Sequence, residues 1–249
     1  MIGRLVAYLE RRRELRRLAR KKRKKFRRWL ALNPGGSYGQ FYALSTHRRI
    51  NAGAPHPTLG LTNVKKSQVE ARAQRILADF KRAGCAPHHV VVDYGCGSLW
   101  VGEVFMAYLE PGRYIGLDLV DTFYTEGLTR LPPEFVASRK PSLHVIDDNA
   151  LREIRDRNPD FILSLAVMQH VPPGDLAGYF SRIVSLAGPR TKIEICNQVM
   201  FCTWGCPPNK FWHTRWSVRS ALAPLGYVAD YRPENRIVRT TPGFSLVRR

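Results

Sequence analysis

The chain has 249 residues, of which 44% are hydrophobic, and a formal net charge of +20. That is enough apolar material for one α/β domain with a substantial core, and it excludes an intrinsically disordered chain. No apolar run approaches the roughly 20 residues of a membrane span, and the first apolar stretch, Leu5 to Leu9, reads as too short for a secretory leader and precedes the arginine run Arg11-Arg12-Arg13 rather than following it.

Residues 1–30 carry 14 of the 40 Lys and Arg against two acids, so the basicity is concentrated there and the rest of the chain is mildly basic. Residues 3–31 read as one helix. At about 100° per residue, Leu5, Tyr8, Leu9, Leu15, Leu18, Ala19, Phe26, Trp29 and Leu30 share one half of the circumference. Most cations fill the other half, and Arg11, Arg12 and Lys22 intrude on the apolar side. Asn33-Pro34-Gly35-Gly36 closes this basic amphipathic segment, taken as 1–32. Three uses of it stay open: an anionic membrane surface with Phe26, Trp29 and Leu30 in the interface, nucleic-acid phosphates, or docking of its apolar face on the body.

Residues 33–62 read as a loop or lid segment with scattered aromatics, among them Tyr38, Tyr42 and His56. A helix follows over about 64–83, with Val69, Ala73, Ile76, Leu77 and Phe80 on one face, Asn63 as its cap and Gly84 as its stop. From Val90 onward strands alternate with helices. Strands are expected near 89–94, 113–118, 142–146, 160–165, 190–196, 227–232 and 243–248, and helices near 100–109, 121–128, 149–157, 174–187 and 214–224. That alternation predicts an α/β, Rossmann-like, mostly parallel sheet with helices on both faces. Ligands of such sheets bind at the carboxyl ends of the strands, so the residues just after each strand are the ones to question.

Those residues are Asp93-Tyr94-Gly95-Cys96-Gly97, then Asp118, which lies 21 residues after Gly97, then Asp147-Asp148-Asn149, and then the run from Ser164 to His170. Two glycines let the backbone turn tightly after a buried strand, and a carboxylate at the end of the next strand suits ribose hydroxyls. A dinucleotide site wants a third glycine three residues after Gly97; here Trp100 stands in that place and the next glycine is Gly102, which argues against a pyrophosphate and leaves NAD as the weaker alternative.

Asp93-Tyr94-Gly95-Cys96-Gly97-Ser98-Leu99 resembles motif I of the class I S-adenosylmethionine-dependent methyltransferases. The stretch Tyr108-Leu109-Glu110-Pro111-Gly112-Arg113-Tyr114-Ile115-Gly116-Leu117-Asp118 is similar to a bacterial subgroup with a GCGSL…YLEPG.Y.G.D signature, and Phe161 to Pro172 is similar to motif IV. The resemblance covers roughly residues 64–249 and implies a seven-stranded sheet whose last strand is antiparallel, with S-adenosylmethionine as cofactor over a domain of 63–249. It implies that Gly95 and Gly97, with Cys96 between them, pass close to the methionine part and that Asp93 holds its amino group through the loop. It also implies that Asp118 accepts the ribose hydroxyls, that Asp148 or Asp147 receives the adenine amino group, and that Ser164 borders the cofactor.

Methyl transfer from a sulfonium is an in-line displacement in which alignment supplies most of the acceleration. His170, where the fourth strand gives way to a loop, is the candidate base, or else a residue that only holds that loop. The segment 197–216 packs Trp204, Trp212 and Trp216 near the end of the fifth strand. Trp204 and His213 from it, with Tyr38 and Tyr42, are expected on the acceptor side, the tryptophans serving equally well as core. No Asp/Asn-Pro-Pro-Tyr/Phe motif of amino-methylating nucleic-acid enzymes is present, since that place reads Ser164-Leu165-Ala166-Val167. Cys96 reads as packing rather than as a nucleophile. The five cysteines, odd in number and irregular in spacing, suit reduced thiols in a cytoplasm; Cys196, Cys202, Cys206 and His213 match no common zinc spacing, so no metal is expected.

The expected function is methyl transfer to a small-molecule, sugar or lipid-linked glycan acceptor, in the cytoplasm or peripherally on the inner face of its membrane. An RNA-directed methyltransferase or RNA-binding protein using the basic helix, and a non-catalytic membrane-associated scaffold, are the alternatives.

Overall fold

The computed structural model describes residues 14, 17, 20–22, 24–54, 56, 58, 66–200 and 210–249. A basic helix over 24–32, joined by the described residues 14, 17 and 20–22, precedes the numbered elements. These are α1 (Tyr38–Asn51), α2 (Lys66–Arg82), β1 (Val91–Tyr94), α3 (Gly102–Tyr108), β2 (Tyr114–Asp118), α4 (Asp121–Thr129), α5 (Pro133–Arg139), β3 (Ser142–Val145), α6 (Asp148–Asp156), β4 (Phe161–Leu165), α7 (Leu176–Ser185), β5 (Lys192–Cys196), α8 (Arg215–Leu222), β6 (Tyr227–Asp230) and β7 (Phe244–Arg248).

The seven strands form one sheet in the order β3-β2-β1-β4-β5-β7-β6. β7 runs antiparallel to both its neighbours, and the other pairings are parallel. The chain winds outward from β1 through β2 to β3, then returns to β4 on the other side of β1. The carboxyl ends of β1 and β4 therefore flank the point where strand order reverses, the place where such sheets open a crevice. β1 and β2 are buried along their whole length, as strands covered on both faces must be. Side chains alternate between two cores. Val92, Tyr94, Ile115, Leu117 and Ile162 join Ile154, Phe180 and Ile183 from α6 and α7. Val91, Tyr114, Phe161 and Leu163 join Phe80 of α2 and Phe105 of α3, and these two rings meet edge-on at 5.0 Å.

Two elements depart from the sequence reading. The segment 33–62 is not a loop throughout: α1 occupies 14 residues of it, started by a capping box in which Ser37 accepts from the Gln40 amide and Gln40 answers to the Ser37 amide. α5 is an additional short helix with no buried residue, so it leaves no apolar period to read. The expected cap Asn63 lies outside the described residues.

The connection from β6 to β7 is tied down by two buried carboxylates. Glu194 on β5 receives Arg236 at 2.8 Å and the Ser245 hydroxyl at 2.6 Å, and Asp79 on α2 receives the Thr240 amide and hydroxyl at 3.1 and 2.8 Å together with Arg82 at 2.5 Å. Burial raises the Glu194 carboxyl, whereas the hydrogen bonds from Arg82 and Thr240 hold Asp79 below its ordinary range against a burial effect that acts the other way.

Candidate active site

The glycine loop leaves β1 with positive φ at Gly95 (+88°) and Gly97 (+53°), conformations that favour residues without a Cβ. A Cβ on Gly95 would run into Val167, from the loop after β4, and one on Gly97 would press on Thr58. The loop thus meets Val167 on one side and Thr58 on the other, and the Ser98 hydroxyl donates to the Thr58 carbonyl.

Asp118 closes β2 with its carboxylate under the loop. Gly97 N–H donates to Oδ2 at 2.9 Å and Val120 N–H to Oδ1 at 3.1 Å. Burial pushes this carboxyl up to about 6, against the opposing pull of its main-chain donors. Asp93 is more deeply enclosed. It accepts the Tyr114 hydroxyl at 3.0 Å, and burial, with the charge of Asp118 nearby, pushes it up to about 7. That partner is a side chain of β2, so Asp93 supports the floor of the loop. Gly102 finds its reason here: a Cβ on it would occupy the space through which the Tyr114 hydroxyl reaches Asp93. Cys96 is buried against Gly116 of β2 as packing, its thiol pushed well up by burial.

Trp100 turns to one side, where the Arg130 guanidinium stacks 3.8 Å over its ring. Arg130 also donates to the Ser98 carbonyl at 2.9 Å and pairs with Glu103 at 2.6 Å. The cation beside the loop is thereby committed to the protein.

The remaining expected residues divide. Asp147 caps α6 by accepting from Ala150 N–H at 2.8 Å, and it and Asp148 are exposed at the carboxyl end of β3. Ser164 is not open to a ligand: it is buried, donates to the Tyr94 carbonyl at 3.0 Å and accepts from the Tyr179 hydroxyl at 2.8 Å, stitching β4 to β1. His213 is not a wall residue either. It is buried, and its Nε2 lies 3.1 Å from the Met168 carbonyl and 3.0 Å from that of Val171, so an Nε2–H donates to both and brackets the turn that carries His170. Burial lowers its pKa, and its Nδ1 has no partner among the described residues.

His170 is half-buried and stacks on Tyr42 of α1, with ring centroids 6.2 Å apart and planes 29° apart. Tyr42 is pushed up to about 12 by burial and by the charge of Asp118, and Gly39 of the same helix lies against Leu119, the neighbour of Asp118. Tyr38 is buried in an aromatic cluster with Phe26, Phe41 and Phe211. Phe26 and Trp29 of the basic helix lie on Phe41 at 5.3 and 5.9 Å. These two rings are therefore engaged with the body and do not present themselves to a membrane; of the expected anchors Leu30 stays exposed, with Leu32 beside it. Trp204 lies outside the described residues. Val167 falls in the expected run from Ser164 to His170, whereas Thr58, which meets Gly97, and Lys22, near Tyr38 and Tyr42, were not among the expected site residues, although the place of Lys22 on the apolar face was a signal.

No family model and no curated protein sequence matches the chain. Solved structures do. Magnesium protoporphyrin IX methyltransferase (ChlM) from Synechocystis PCC 6803 with bound SAH aligns with a TM-score of 0.53 at 17% identity, over 84% of this chain and 97% of that one. The DhpI-SAH complex aligns with a TM-score of 0.51 at 12% identity, over 85% and 96%. The chain has the Rossmann-like fold of these proteins, with the same mixed seven-stranded sheet described above.

Proposed function

We propose that the chain is an S-adenosylmethionine-dependent methyltransferase acting on a small-molecule acceptor, with sugars and lipid-linked glycans within that class. The observation that carries this reading is the coupling of Asp118 to the amide of Gly97 at the point where strand order reverses. A glycine-lined loop and a carboxylate after the neighbouring strand suit an amino-acid-bearing nucleoside. The loop's adjacent cation is engaged by Trp100, Ser98 and Glu103, so the donor set fits a ligand without phosphates. The bound state of ChlM and DhpI with SAH supports the same choice.

In this reading Gly95 and Gly97 admit the methionine part, Asp118 takes ribose hydroxyls, and the exposed Asp147 and Asp148 border the adenine. The cofactor supplies an electrophilic methyl group on a sulfonium. His170 receives the acceptor's proton where one must leave, held in place by His213 behind it and Tyr42 in front. Calorimetry with SAH tests the reading: binding to the full chain, weakened about tenfold or more by Asp118→Ala and matched by no binding of NAD, is the expected result. Equal affinity in the variant would defeat it.

A second reading concerns the outer face of the basic helix, where Arg20, Lys21, Lys24, Lys25, Arg27 and Arg28 are exposed beside Leu30 and Leu32. This face suits electrostatic association with an anionic membrane surface. Flotation with anionic but not neutral vesicles, reversed by salt, is expected; flotation unaffected by salt, or preference for RNA over vesicles, would reject it.

A further inference from the structure

Lys22 breaks the pattern of the basic helix. It stands four and seven residues before Phe26 and Trp29, which places it on the face that docks rather than the face that meets water. Its neighbours Lys21, Lys24 and Lys25 are exposed, whereas Lys22 is half-buried. Its Nζ lies 5.4 Å from the centroid of Tyr38 and 5.9 Å from that of Tyr42. Tyr42 is the ring that stacks on His170. The ammonium therefore stands on the acceptor side of the cleft, one ring removed from the candidate base.

Two polar groups are left wanting there. Among the described residues no carboxylate makes an ion pair with Lys22, including Asp175, whose charge reaches Tyr38. Among the described residues the buried Tyr38 hydroxyl has no hydrogen-bond partner. Burial lowers the Lys22 pKa, as it does for an ammonium that has lost water without gaining an anion. Two aromatic faces give partial compensation. An ammonium over two rings and paired with no carboxylate suits an oxyanion, and the Tyr38 hydroxyl, which can donate or accept, is a second polar group left to a ligand. Beside them Tyr42, His170 and Phe211 are each partly open to solvent and offer flat apolar surface.

We infer that Lys22 is a specificity-determining residue of the acceptor compartment, and that the acceptor carries a carboxylate or phosphate seated on Lys22 and a flat apolar body against Tyr42 and His170. The inference rests on reading the cleft as a methyl-transfer site. It makes the basic N-terminal helix a wall of that site, not an appendage to it.

The test uses the full chain with methyl-labelled S-adenosylmethionine and the small-molecule fraction of a cell extract, split by anion exchange into retained and unretained pools. SAH affinity is measured by calorimetry on the same preparations. Label is expected in the retained pool. Lys22→Met is expected to raise the apparent KM for that pool about tenfold, more than it lowers kcat, with SAH affinity kept, and Lys22→Arg to restore most of the loss. Label in the unretained pool, or Lys22→Met kinetics like those of the parent, would overturn the inference and leave the methyl-transfer reading standing. So would a Lys22→Met variant whose losses follow a fall in thermal stability that Lys22→Arg does not repair, which marks a mere packing role. A parent chain that fails to bind SAH, or binds it and labels neither pool, rejects the methyl-transfer reading itself, and the inference with it.

Discussion

Tyr114, Asp93 and Gly102 form a unit across three elements, and each constrains the others. The Tyr114 hydroxyl reaches Asp93 through space that any side chain at position 102 would fill. Gly102→Ala is expected to cost about 1–3 kcal/mol, by overpacking against a ring that has no freedom to retreat, and to lower the denaturant midpoint accordingly. Asp93 carries a pH signature. Its carboxyl rises from an ordinary 3.8 to about 7 on folding, so between those values the folded state holds the proton more tightly than the unfolded one. Stability from this group is present at low pH and lost as pH climbs toward 7. The Tm of Asp93→Asn minus that of the parent, both without cofactor, should therefore increase between pH 5 and pH 8; a difference that stays flat would contradict the assignment. Much of this scale was legible as residue types in the right places: Gly95, Gly97, Asp118 and His170 fall where the strand ends put them. What was not legible was the partner of each. Nothing near Gly102 in sequence announces Tyr114, and nothing in Ser164 or His213 says that their hydrogen bonds are already taken by Tyr94, Tyr179, Met168 and Val171.

At the scale of elements, α1 touches both parts of the candidate site, because Gly39 lies against Leu119, next to Asp118, and Tyr42 stacks on His170. Its start depends on Ser37. Ser37→Ala is expected to cost about 1 kcal/mol, seen as faster amide exchange confined to α1 while the strands keep their protection. Uniform acceleration across the sheet would show that α1 does not open on its own. The sequence carried the signal for this helix, since Ser37-Tyr38-Gly39-Gln40 has the capping-box spacing. It was obscured because the helix buries only Tyr38, Phe41 and Thr46, too few for an apolar period. The strands were easier to read, because a sheet covered on both faces writes short unbroken apolar runs such as Phe161-Ile162-Leu163.

At the scale of the whole molecule, the basic helix and α1 pack through rings, joined across the turn at Asn33-Pro34-Gly35-Gly36. That packing separates two uses of the same aromatics. The double variant Phe26→Ala, Trp29→Ala is expected to lose about 1–3 kcal/mol of stability in the absence of any membrane, because it removes half-buried rings from Phe41 and Tyr38. Rings held ready for lipid would leave stability without vesicles unchanged. The sequence alone left membrane, nucleic acid and body in competition for this face, since an amphipathic period says that a face is covered and not by what.

The two carboxylates that pin the connection before β7 have a consequence for how the protein comes into being. Asp79 waits for Thr240, 161 residues further along, and Glu194 waits for Arg236 and Ser245. β7 enters the sheet between β5 and β6 although it is the last strand in chain order. A nascent chain that has already made its glycine loop therefore still exposes the β5 edge, with Glu194 unpartnered and Asp79 held by Arg82 alone. Closure rests on contacts of very long sequence separation, which form slowly. During synthesis the hazard is an open sheet edge, and the period of risk ends only when β7 slots into place.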